Sequence, residues 1–72
     1  MDVNYNKLFK MLIDKGMKKK DFREKVEISE STMAKLSNNE NVSLEVIARI
    51  CRTMNCPVDD IMDVLPNEND EE

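Results

Sequence analysis

Glycine occurs once in these 72 residues, at Gly16, and proline twice, at Pro57 and Pro66. A sheet with many tight turns needs more punctuation than this, so the chain is steered towards helices. The apolar spacing agrees. Tyr5, Leu8, Phe9 and Leu12 fall at i, i+3, i+4 and i+7, the stripe of an amphipathic helix. Asn4 is the expected N-cap of this first helix, and Gly16 the residue just past its end, after Lys15.

The same rule places the other helices. A second helix is predicted from about Lys19 to Val26, with Phe22 and Val26 inward. Ile28 follows the turn and plugs the core. Ser29 caps a third helix of about residues 30–37, its hydroxyl accepting from the backbone N–H of Ser31 or Thr32. The third helix has a narrow inner face, Met33 and Leu36, and Asn38-Asn39 end it because asparagine tolerates the left-handed conformation. Ser43 caps a fourth helix with Glu45 in its first turn, and Leu44, Ile47, Ala48 and Cys51, widened by Ile50 and Met54, make it the central core helix. Asn55 ends it. Pro57 opens a short fifth helix with Asp59 and Asp60 in its first turn, and Val58, Ile61, Met62 and Leu65 close the core. Neither strand alternation nor an internal repeat is visible.

Seventy-two residues make one domain, expected over 4–66. The NENDEE tail, 67–72, carries four acids and reads as disordered. The chain is 40% hydrophobic and 36% charged with six methionines, which implies an aliphatic, somewhat soft core and excludes a membrane-spanning class. No apolar run follows Met1, so no signal peptide is expected and the default address is cytoplasmic. With no histidine, the commonest general base and the usual nucleophile pairs are missing, and two cysteines alone cannot complete a zinc site. Gly16 stands alone, so there is no glycine-rich phosphate loop. No catalytic residue, metal or cofactor is expected, and Cys51 and Cys56 read as packing thiols. The net charge of −4 is unevenly spread: residues 7–35 hold nine bases against five acids, while residues 36–72 hold two arginines against nine acids.

Two short helices joined by a tight turn, flanked by others, describe a helix-turn-helix unit. Small polar residues at the start of the third helix let it lie close in the major groove of DNA. The stretch KGMKKKDFREKVEISESTMAKLSNNENVSLEVIARICRTMNCPVDDI resembles the Cro and lambda-repressor type of helix-turn-helix domain, the xenobiotic-response-element family. The resemblance runs roughly from Leu8 to Leu65. It rests on the buried aliphatic residue of the turn, the Ser-Glu-Ser-Thr start of the third helix, SLEVIARIC for the fourth, and NCPVDDI leading into the fifth. It implies an all-α, five-helix fold and a sequence-specific DNA-binding transcriptional regulator. Three positions depart from the family pattern: Lys19 stands where glutamine is frequent, Arg23 where a small residue is usual, and Glu27 where the turn glycine belongs. A positive φ at Glu27 would be strained.

Lys18, Lys19 and Lys20 oppose the macrodipole at the start of the second helix, at a few tenths of a kcal/mol each. A solvated lysine run is the plain reading. The preferred one is that DNA phosphate sits at this helix end, and family position places Lys19 on the DNA backbone. On the third helix, family position makes Glu30, Ser31 and Lys35 base-edge readers: Lys35 donating to guanine O6 or N7, Glu30 accepting from cytosine N4, Ser31 doing either. Glu30 reads equally as an acid that favours a helix N-terminus. Thr32, Asn39 and Asn41 are assigned to phosphate oxygens, with helix-start and turn chemistry as their plain readings. Lys10 and Arg52 are weaker phosphate candidates. The expected partner is double-stranded DNA, with no membrane and no small-molecule substrate. Because one helix reads few base pairs, a homodimer on a palindromic operator is expected, with the fifth helix and Leu65 as its contact. The alternative is a protein-interaction module, such as an antitoxin or accessory protein, built on the same fold. The net negative charge and Glu30 favour that alternative.

Overall fold

The computed structural model describes residues 2–66. Its elements are β1 (Asp2–Asn4), α1 (Asn6–Asp14), α2 (Lys19–Val26), α3 (Glu30–Ser37), α4 (Leu44–Met54), a 3₁₀ turn (Val58–Asp60) and β2 (Asp63–Leu65). The acidic tail lies outside the described residues.

All four helices stop in the same way. Gly16, Glu27, Asn39 and Asn55 follow the helix ends with φ of 66°, 66°, 57° and 58°. At each end a backbone N–H reaches back five residues to an otherwise orphaned carbonyl: Met17 to Leu12, Ile28 to Arg23, Glu40 to Lys35 and Cys56 to Cys51. Three of the four residues are the glycine or asparagine that this geometry favours. Glu27 is the exception. Its carbonyl accepts from Arg49 Nη1 of α4 at 3.1 Å, which ties the left-handed turn to the central helix.

The helix starts follow side-chain chemistry. Ser29 Oγ accepts from Thr32 N–H at 3.1 Å, and Ser43 Oγ from Val46 N–H at 3.2 Å. Asn4 is not the cap of α1. It lies in β1, where its Oδ1 accepts from Asn6 N–H at 2.7 Å, and Tyr5 takes the capping position.

The core joins one stripe from each helix: Leu8 and Leu12, Phe22 and Val26, Met33 and Leu36, and Ile47, Ile50 and Met54. Ile28 of the turn and Ile61 complete it with Val3 and Tyr5. Burial pushes the Tyr5 phenol up in pKa, partly offset by the Val42 amide. The phenol is held by donating to Glu40 O at 2.8 Å. Cys51 and Cys56 are free and half-buried, and burial pushes both thiols up, with Asp60 adding to the effect.

The expected fifth helix is absent. After Pro57 the backbone makes only the three-residue 3₁₀ turn and then extends, so the described fold has four α-helices. The extended piece, β2, pairs antiparallel with β1 in the register Asp2↔Leu65, Val3↔Val64, Asn4↔Asp63. Segments of three residues are too short to show the alternation that announces a strand. The Lys7–Asp63 ion pair at 3.1 Å, with Lys7 Nζ also donating to Asp59 O, fixes this ribbon to α1. Leu44, expected in the core stripe of α4, is instead 81% exposed, and Val58 and Leu65 face solvent rather than closing the core. Ile61 alone of that group is fully buried.

Candidate nucleic-acid interface

The α2–turn–α3 unit is built by Phe22, Val26, Ile28, Met33 and Leu36, which pin both helices inward. Because α3 commits only two side chains to the core, Glu30, Ser31, Ala34, Lys35 and Ser37 all lie on its exposed surface. Thr32 is half-buried. Ser29 Oγ donates to Thr32 Oγ1 at 3.0 Å and sits 3.0 Å from Ser31 Oγ, so three hydroxyls share the start of the helix. This cluster holds Thr32 to the cap, as the plain reading of that residue supposed, and leaves Ser31 on the rim.

At the start of α2, Lys18, Lys19 and Lys20 are exposed. Lys18 N–H donates to Asp21 Oδ2 at 3.4 Å, and this acid in the first turn partly offsets the misplaced positive charge. Asp21 escaped the sequence reading because its usual capping partner, a serine or threonine three residues earlier, is replaced by lysine. Lys19 reaches across to the far end of α3: its Nζ lies 3.4 Å from Ser37 Oγ and 4.9 Å from the centroid of the Phe9 ring. The first residue of α2 and the last of α3 therefore meet in one place. Ser37 and Phe9 carried no sequence signal for this, since the contact depends on how three helices converge.

The remaining candidates are dispersed. Asn39 takes the left-handed position after α3, and its Oδ1 accepts from Tyr5 N–H at 3.1 Å. Its carbonyl oxygen thus serves the fold, while its side-chain N–H₂ makes no hydrogen bond to another described residue. Asn41 is exposed on the loop before α4 and lines a groove near β1. Lys18, Lys20, Glu30 and Lys35 form no ion pair with another described residue. Lys10 and Arg52 are exposed. Lys7 faces the ribbon through its pair with Asp63 and takes no part in the α2–α3 surface.

A family model for the Cro/C1-type HTH DNA-binding domain matches residues 7–67. The chain belongs to that family. A crystal structure of the transcriptional regulator VanUg superposes on this Cro/C1-type domain with a TM-score of 0.86 at 55% sequence identity, covering 92% of this chain and 88% of that one. A comparison with curated proteins returns no match. The Cro/C1-type domain is mostly helical, and none of its described helices is long and apolar enough to cross a membrane. Among the described residues, no three His, Cys, Asp or Glu side chains converge as metal ligands.

Proposed function

We propose that this chain is a sequence-specific transcriptional regulator that places α3 in the major groove and binds a palindromic operator as a homodimer. The observation that carries this reading is the use of α3. An eight-residue helix inside a Cro/C1-type domain spends two side chains on the core and offers Glu30, Ser31 and Lys35 outward. Its exposed rim is short and polar, which suits close approach to base edges. Lys35 is the principal base reader, with Ser31 and Glu30 beside it. Lys18, Lys19 and Lys20 take backbone phosphate together with the N-terminal amides of α2. Thr32, Asn39 and Asn41 supply neutral donors along the same backbone. The VanUg likeness supports a regulatory role at 55% identity. Such a protein works in the cytoplasm, on double-stranded DNA, without a cofactor.

Selection of binding sites from a random duplex pool tests the proposal. A two-fold symmetric motif is expected. On that motif, Lys35→Ala relaxes preference at one position per half-site by about 1–3 kcal/mol. Lys19→Ala instead lowers the slope of log affinity against log salt by about one unit per site, uniformly across sequences. Lys19 also packs on Phe9, so the slope rather than the bare affinity is the diagnostic quantity. If neither variant changes DNA binding, α3 and the start of α2 are not the reading face.

A further inference from the structure

Each α-helix ends on a left-handed residue, and there the backbone turns back so that the N–H of residue i+5 donates to the carbonyl of residue i. This closure sets two side chains next to each other, one on the last turn of the helix and one just past the left-handed residue, and such pairs commonly pack together. At the end of α1 the pair is Leu12, in the core, and Met17, packed against it. At the end of α4 the pair is Cys51 and Cys56. Cys51 O accepts from the N–H of Asn55 and from that of Cys56, the latter at 3.1 Å, with Asn55 between them at a φ of 58°. The chain has two cysteines in all, and the fold places both on this one closure. Both thiols are free, and each packs against the core while keeping part of its surface open to solvent.

We propose that Cys51 and Cys56 form a dithiol modification site, which a low-molecular-weight disulfide converts to an intramolecular disulfide that locks the end of α4. The inference is independent of the DNA reading, since neither cysteine lies on α2 or α3. The step is a two-stage thiol–disulfide exchange. The thiolate of one cysteine attacks a sulfur of the reagent RSSR. The reagent's S–S bond breaks, a protein–S–S–R link forms, and RS⁻ leaves to take up a proton. The second cysteine, deprotonated in turn, attacks the protein sulfur of that link. The Cys51–Cys56 bond forms, and the second RS⁻ leaves and is protonated. Two protein sulfurs are oxidised, two reagent sulfurs are reduced, and both thiol protons end on RSH. Because the closure already holds the two residues together, the second stage is intramolecular and needs no rearrangement of the chain.

The surroundings make the site slow to react. Burial raises the pKa of both thiols, Asp60 adds to the effect at each, and Cys51 adds to it at Cys56, where Lys15 pulls the other way. Thiolate is therefore scarce at neutral pH, and exchange quickens as pH rises. Brief exposure to an oxidant is resisted, while a sustained oxidising poise still drives the reaction, because the reduction potential rather than the rate sets the final state. The position of the bridge gives it a consequence. Met54 before Asn55 and Ile61 beyond the 3₁₀ turn are both in the core, and that turn leads into β2. A bond from Cys51 to Cys56 fixes the exit from the central helix towards the ribbon and removes conformations from the unfolded chain. Oxidation therefore stabilises the domain.

Incubation of the full reduced chain with glutathione disulfide, followed by intact-mass spectrometry, tests the site. The expected product is a single chain that has lost two hydrogens, carries no glutathione, and returns to its starting mass with dithiothreitol. It should form about tenfold faster for each pH unit through the neutral range. The oxidised domain should melt at least about 4 °C above the reduced one. Cys51→Ser and Cys56→Ser should each stop at a glutathione adduct on the remaining sulfur and gain none of this stability. Melting curves of the reduced variants check that both still fold. A wild-type chain that stops at the adduct, links only to a second chain, or stays unmodified at both sulfurs overturns the proposal. So does an oxidised chain that melts no higher than the reduced one.

Discussion

Helices α3 and α4 begin alike and are used differently. Each starts with a serine whose hydroxyl accepts from the N–H three residues on, and each carries a glutamate in its first turn. Then they diverge. Helix α4 runs eleven residues and buries Ile47, Ile50 and Met54, whereas α3 runs eight and buries only Met33 and Leu36. Caps decide where a helix begins, and the width of the apolar stripe decides what it is for. A broad stripe makes α4 the beam on which the domain is assembled. The narrow stripe of α3 leaves most of its circumference free to carry recognition chemistry, so its outer residues can change without disturbing the fold.

The largest expected effect separates the two roles. Ile50 is fully buried, so Ile50→Ala should cost about 2–5 kcal/mol in urea denaturation through lost transfer energy and a cavity. A domain of this size has roughly 4–11 kcal/mol in total, so the variant should be largely destabilised and lose DNA binding with its fold. Lys35→Ala on α3 should shift stability by no more than about 0.5 kcal/mol while changing DNA preference. Equal destabilisation by both would erase the distinction between beam and reader.

Removing the caps sharpens the contrast at a smaller scale. Ser43→Ala deletes one hydrogen bond, to Val46 N–H, and should cost about 1 kcal/mol. Ser29→Ala deletes the bond from Thr32 N–H and also abandons the Thr32 and Ser31 hydroxyls. It should cost nearer the upper limit of about 2 kcal/mol, and it should weaken DNA binding more than Ser43→Ala because it frays the reading helix itself. Paired denaturation and binding curves check both. A larger loss for Ser43→Ala would mean that the hydroxyl cluster contributes little.

How far the sequence could be read follows from the range of each interaction. The start and end of α2, the Ser29 and Ser43 caps, the left-handed Gly16, Asn39 and Asn55, and most of the core stripes are set by neighbours within a turn or two, and each was legible. The ribbon was not, because β1 and β2 are three residues long and exist only as a pair drawn from opposite ends of the chain. The missing fifth helix is the same fact seen from the other side: pairing with β1 extends a segment that Pro57 and two aspartates would otherwise start as a helix. Leu44 was misplaced because periodicity says which residues share a face and not whether that face is covered. At the proposed reading surface, Lys18, Lys19, Lys20, Glu30, Ser31 and Lys35 stand on exposed positions. The meeting of Lys19 with Ser37 and Phe9, and the binding of Asn39 to Tyr5, depend on tertiary convergence that no local pattern encodes.

The smallest effect falls on the turn between α2 and α3, which Arg49 ties to α4. Glu27 and Gly16 share a φ of 66°, but only glycine adopts it without a Cβ penalty. Glu27 keeps this conformation because Phe22, Val26 and Ile28 are buried on either side of it and because Arg49 of α4 holds its carbonyl at 3.1 Å. Neither restraint involves the glutamate side chain, which is exposed. Glu27→Gly should therefore keep both restraints, relieve the strain, and stabilise the domain by about 0.5–1 kcal/mol after the added flexibility of the unfolded chain is counted. For a domain of this length that is a rise in midpoint temperature of about 2–8 °C. Removing one acid beside the reading surface should also raise DNA affinity slightly at low salt, an effect that fades as salt increases. If Glu27→Gly lowers the melting temperature instead, the glutamate itself supports the turn, and the link between reader and beam runs through its side chain rather than through the Arg49 clamp.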